Sequence, residues 1–99
     1  MTNFSLLPPG VTPRFTLGNI VMTAEAFKRL PVEDVSAALA RHARGDWGEV
    51  YTEDRDANES AIWDALRLHS VYHDRNGVKF WIITEADRNT TTVLLPDDY

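Results

Sequence analysis

The chain has 99 residues, 43% of them hydrophobic, 10% aromatic and 25% charged, a composition that fits one folded domain and excludes both a disordered chain and a second core. It contains no cysteine and carries a formal net charge of −5, which removes disulfide frameworks, thiol nucleophiles and thiolate zinc sites, and disfavours a phosphate-binding surface. The longest apolar stretch, Phe80 to Ile83, is far too short to span a bilayer, and Met1 to Gly10 has no basic region before an apolar run, so a cytoplasmic location without a membrane is expected.

Pro8, Pro9, Gly10 and Pro13 oppose regular structure, giving a flexible arm over 1–12 and a single compact α+β domain over 13–99. Phe15, Leu17, Ile20, Val21 and Met22 form a strand pattern interrupted at Gly18. Thr23 is placed to cap a short helix with Ala26, Phe27 and Leu30 on its apolar side, ended by Pro31. Val32, Val35, Ala38, Leu39 and His42 recur at helical spacing over 32–43, with a stop at Gly45. Thr52, followed by Glu53 and Asp54, marks the cap of a third helix whose buried side is expected at Asn58, Ala61, Ile62, Ala65 and Leu66.

After Arg67 the period changes to two, and Asn76-Gly77 signals a hairpin between strands at 68–75 and 78–85, with a last strand at 90–95 stopped by Pro96. The expected order is therefore an N-terminal strand, three helices and a three-stranded antiparallel meander. A two-residue loop at Asn76-Gly77 pairs His73 with Phe80, Val71 with Ile82 and Tyr72 with Trp81. That register puts Val71, Val78, Phe80, Ile82, Val93 and Leu95 against the helices and leaves Leu68, Tyr72, Trp81, Ile83 and Leu94 on the far face. So much apolar area needs cover, from the chain itself or from a partner, and Leu68, Tyr72, Trp81 and Leu94 become candidate partner-binding residues, a homodimer among the options.

Charge is concentrated between Asp46 and Asp64, where Asp46, Glu49, Glu53, Asp54, Asp56, Glu59 and Asp64 stand against Arg55 alone. This is a candidate partner-binding face for a basic protein surface, with a merely solvated helix face as the plainer reading, and it makes direct nucleic-acid binding unlikely. Three other groupings bear on chemistry. His69 and His73 are four residues apart, too far along a strand to share one metal ion, so no metal and no cofactor is expected. His42 near Asp46 has the makings of a carboxylate-oriented base, or of a packed or capping histidine. Glu85, Asp87 and Arg88 before Thr90, Thr91 and Thr92 suit RNA cleavage by a small enzyme or toxin, and equally a turn held by Asp and Thr hydrogen bonds.

No dinucleotide glycine motif, Walker loop, nucleophile elbow or His-Glu-x-x-His is present. The runs from Arg41 to Gly48, Glu53-Asp54-Arg55 with Asn58, Lys79 to Arg88, and Thr91 to Pro96 before the final Tyr99 resemble a family of small "plasmid-related" proteins over about 13–99. The resemblance implies a bacterial accessory protein of plasmids and other mobile elements, with no established activity. Some members carry the label of a type I restriction methylation subunit, which this chain does not fit: it lacks a methyl-donor glycine loop and an Asn-Pro-Pro-Tyr tetrad. Charge and resemblance together set the expectation of a non-enzymatic interaction protein, an acidic inhibitor of a host nucleic-acid-targeting defence protein, with the small RNA-acting enzyme as the alternative.

Overall fold

A computed structural model describes Thr2, Asn3, Pro8 and residues 10–99. The chain runs β1 (Thr2–Asn3), β2 (Asn19–Met22), α1 (Ala24–Arg29), α2 (Val32–Ala43), α3 (Thr52–Asp64), β3 (Leu68–His73), β4 (Lys79–Thr84), β5 (Thr90–Leu94) and a closing 3-10 turn at Pro96–Asp98. The α+β class holds. The rest of the expected arm over 1–12 lies mostly outside the described residues.

β3, β4 and β5 form the antiparallel meander, but β2 joins it in parallel beside β5, pairing Ile20 with Thr91 and Met22 with Val93. The sheet is thus mixed, in the order β1-β2-β5-β4-β3, rather than a purely antiparallel three-stranded meander. A parallel pair needs a long connection, here the three helices followed by β3 and β4.

The hairpin register is one residue away from the two-residue-turn expectation: Tyr72 pairs with Phe80, Val71 with Trp81 and His73 with Lys79. Asp74 is the cause. Its Oδ1 accepts the amides of Asn76 and Val78, both at 2.8 Å, while its own N–H bonds the Val78 carbonyl at 3.0 Å. Arg75, Asn76 and Gly77 then make a three-residue loop, with Gly77 at φ +81° in the left-handed position that such loops require. Arg75 is pinned as well, its guanidinium and its N–H both reaching the Asp34 carboxylate on α2.

This one-residue slip redistributes the far-face candidates. Leu68 and Tyr72 lie on the helix-packed face and are buried, whereas Trp81, Ile83 and Leu94 share the other face with Val71. Ile83 and Leu94 are buried there too, and Trp81 is half-buried, packing edge-on against Tyr99 and His69.

On the other side of the sheet, Val35, Ala38, Leu39 and Ala43 of α2 and Ala26 of α1 pack with Ile20, Met22, Tyr72, Phe80, Ile82 and Val93 into the main core. The helical spacing in α2 was legible because those small and branched apolar residues all meet the sheet. Thr23 caps α1 as expected, its hydroxyl accepting the Ala26 amide at 3.2 Å. Phe27, expected on the apolar side, is 56% exposed.

α3 attaches differently. Thr52 is its first helical residue and Tyr51 the cap, with no side-chain cap bond. Ala61 and Leu68 form a small second core with Trp47, while Ala65 and Leu66, expected inside, are exposed because the helix ends at Asp64 and Ala65 turns left-handed at φ +54°. The main anchor is polar: the Asn58 carboxamide donates to the His69 carbonyl at 2.9 Å and accepts the His69 amide at 3.1 Å, filling a gap at the free edge of β3. Next to it, Glu49 N–H bonds the Val71 carbonyl and Val71 N–H bonds the Trp47 carbonyl, so the edge at Val71 is paired as well.

Candidate functional site

The acidic segment divides into carboxylates already spent inside the molecule and carboxylates left free. Asp46 accepts Arg41 through both oxygens, at 2.8 and 3.2 Å, and also the Gly48 amide. The Arg41 guanidinium holds its carboxyl below the usual range. Glu49 is hydrogen-bonded to Nδ1 of His73. Glu59 accepts both Arg14 nitrogens, at 3.1 and 3.0 Å, and the Trp47 indole N–H at 2.9 Å; Arg14 first and Trp47 second depress its pKa. These three acids fasten the loop between α2 and α3 and the chain before β2.

Glu53, Asp54, Asp56 and Asp64 are exposed on α3 and have no hydrogen-bond or ion-pair partner for their carboxylates among the described residues. Of them, Glu53 and Asp56 fall with Ser60 and Trp63 at successive spacings of three and four, which is one stripe along a helix. The stripe is opposite buried Asn58 and Ala61, and Asp64 lies beside it. Trp63, at 83% exposure, is the most exposed large apolar residue described, and Leu66 just past the helix is 57% exposed. Sequence reasoning missed Trp63, although a tryptophan seven residues after Asp56 on a helix with buried Asn58 and Ala61 was itself a signal that it faces out.

The stripe is held firmly from behind. Besides the Asn58 contacts, the Arg88 guanidinium bonds the carbonyls of Ala61 at 2.8 Å and Leu66 at 2.7 Å at the C-terminal end of α3, and that of Glu85 at 3.0 Å. Backbone carbonyls there carry negative partial charge, so a guanidinium is a fitting cap.

That cap also decides what the Glu85, Asp87 and Arg88 cluster does. Arg88's donors are occupied by backbone, Glu85 pairs with Arg67 at 3.3 Å, and Asp87 accepts the Asn89 amide at 2.9 Å. The three side chains build a turn rather than converge on an open site.

His42 is fully buried and does not bond Asp46. It sits in a buried chain whose direction can be read from one end. The Thr91 hydroxyl donates to the Leu17 carbonyl at 2.7 Å, so the Thr84 hydroxyl donates to Thr91 at 2.8 Å. Thr84 must then accept His42 Nε2–H at 2.9 Å, and Nδ1 accepts the Ser70 hydroxyl at 2.6 Å. Burial, with the charges of His69 and Arg88 adding, pushes His42 down to about 3, which keeps this neutral tautomer in place. His42 thus ties α2 to β3, β4 and β5 from within the core.

His69 and His73 both lie in β3, and burial lowers the pKa of His69. Among the described residues no three His, Asp or Glu side chains converge as metal ligands, and no helix is long and apolar enough to cross a membrane. Comparison with known proteins found no matching family model, no similar curated protein and no similar solved structure.

Proposed function

We propose that this protein is a non-enzymatic accessory interaction protein of a mobile genetic element, acting in the cytoplasm, whose acidic α3 face docks on a basic surface of a protein partner. The partner in this reading is a host nucleic-acid-targeting defence protein, and the docked helix occupies the surface that its nucleic acid would use. The observation that carries the proposal is the set of uncompensated carboxylates, Glu53, Asp56 and Asp64, on a helix whose opposite side, where Asp54 stands one turn before Asn58, is fastened to the sheet. Such a fixed array attracts a basic surface at long range and loses little entropy on docking. The RNA-acting alternative has no comparable support, since His42 is enclosed and Arg88 is engaged by backbone carbonyls.

The test is affinity capture from the native host with the wild-type protein and with Glu53→Lys/Asp56→Lys/Asp64→Lys, followed by competition with DNA and RNA. Glu59 is left intact, because reversing it would break the Arg14 and Trp47 contacts and confuse docking with folding. A nucleic-acid-binding protein held by the wild type, released by nucleic acid and not held by the variant, is the expected result. Equal capture by both proteins removes the acidic face from the account.

A further inference from the structure

Trp63 is out of place for a solvated helix. Its side chain makes no hydrogen bond and no ring contact among the described residues, and it is 83% exposed at the end of a stripe that is otherwise acidic or hydroxylic. Leu66, just past the helix end, is exposed as well. Exposed tryptophan adds nothing to folding in this position, whereas tryptophan with a polar surround is the residue type that most often dominates a protein contact.

We propose that Trp63 is the anchor of a docking surface for an arginine-rich protein surface, with arginine selected over lysine. This inference rests on the acidic-face reading and specifies the chemistry of its partner. A guanidinium stacks flat on an indole face, where its weak hydration is lost at small cost, and its edge still presents N–H groups to carboxylates. Asp64 adjoins Trp63 in sequence, and Asp56 lies two turns below it on the same stripe, so neighbouring arginines each find a carboxylate. A lysine ammonium would satisfy the carboxylates as a point charge but gains less from the indole and keeps its water. The rise of a helix puts Glu53 about 15 Å from Trp63, so the stripe spans several side chains of a partner rather than one.

The experiment titrates nona-arginine and nona-lysine peptides into the ¹⁵N-labelled full chain at low salt, following the Trp63 indole N–H signal and backbone amides of α3. It compares wild type, Trp63→Ala and Glu53→Lys/Asp56→Lys, each first shown to keep the wild-type far-ultraviolet spectrum. The wild type is expected to bind nona-arginine about two- to fivefold more tightly than nona-lysine, the size of an exposed cation–π contact. Trp63→Ala is expected to lower nona-arginine to the lysine level, and the charge reversal to weaken both peptides. Equal affinity of the wild type for the two peptides, or an arginine preference that survives Trp63→Ala, overturns the assignment of Trp63. If the charge reversal still weakens both peptides in that case, the acidic-face reading stands without its anchor; if the reversal changes neither affinity, both fall.

Discussion

The side chain of Asn58 stands in for a strand: its carboxamide exchanges two hydrogen bonds with the backbone of His69, as a neighbouring β-residue would. The hydrogen bonding of α3 to the edge of the sheet thus runs through one residue that looks, in sequence, like any polar helix position. Replacing Asn58 with Ala leaves a half-buried backbone donor and acceptor without partners. The expected cost is about 2–3 kcal/mol, read from the denaturant midpoint, whereas Asp56→Ala on the outer stripe should stay within about 0.5 kcal/mol.

The buried His42 chain makes the fold sensitive to acid above the range where carboxylates titrate. The folded pKa, about 3, lies below the unfolded value of 6.5, so the unfolded state binds the extra proton and stability falls as pH drops below 6.5. The slope is about 1.4 kcal/mol per pH unit, or about 2 kcal/mol lost between pH 6.5 and 5. His69, also lowered by burial, acts in the same direction. Denaturation midpoints from pH 7 to 5 should show this slope, and His42→Leu, though less stable throughout, should flatten most of it. An unchanged slope in His42→Leu would assign the acid sensitivity elsewhere.

Glu59 and Glu53 are six residues apart on one helix but should respond differently to the same change. Glu59→Gln weakens charge-assisted bonds to Arg14 and the Trp47 indole, with an expected cost of about 1–2 kcal/mol. Glu53→Gln removes an unpartnered surface charge and should leave the midpoint where it was. Thermal or chemical unfolding of the two single variants decides between this division and a uniformly solvated acidic segment.

Gly48 and Gly77 both adopt positive φ, at +74° and +81°, but they are not equivalent. A Cβ on Gly48 would sit 2.0 Å from the Val71 carbonyl oxygen, backbone that cannot move without losing the Trp47 and Glu49 bonds to β3, while a Cβ on Gly77 meets open space. Gly77→Ala is expected to cost about 1 kcal/mol, the strain of a left-handed alanine. Gly48→Ala should cost about 3 kcal/mol or more, adding a backbone clash and lost edge pairing. Similar unfolding midpoints for the two would contradict the close approach at Gly48.

Local pattern was enough to place α2 over Val32–Ala43, the Thr23 cap and all three meander strands, because each rests on spacing or on a neighbouring residue. It failed at the hairpin register for a physical reason. Counting outward from a two-residue Asn76-Gly77 loop put Val71 in the core, but Asp74 lengthens the turn by capturing two amides, and Ser70 is accepted inside because it donates to His42 Nδ1. The parallel docking of β2 against β5 links residues some seventy positions apart, a distance at which spacing carries no information. The acidic segment was legible as charge, but not its division: Asp46 is spent on Arg41, five residues before it, while Glu49 and Glu59 are spent on His73 and Arg14, side chains brought from elsewhere in the chain.

The attachment of α3 through Asn58 and Arg88 has a consequence for how the protein can change over generations. Most helices hold their place by an apolar stripe several turns long, which constrains residues along their length. Here much of the hold comes from two polar side chains gripping backbone, which keep the same grip whatever stands on the outer stripe. Positions 53, 56, 60, 63 and 64 are thereby released from the demands of folding, and drift or selection can rewrite that surface freely while the scaffold beneath it stays the same.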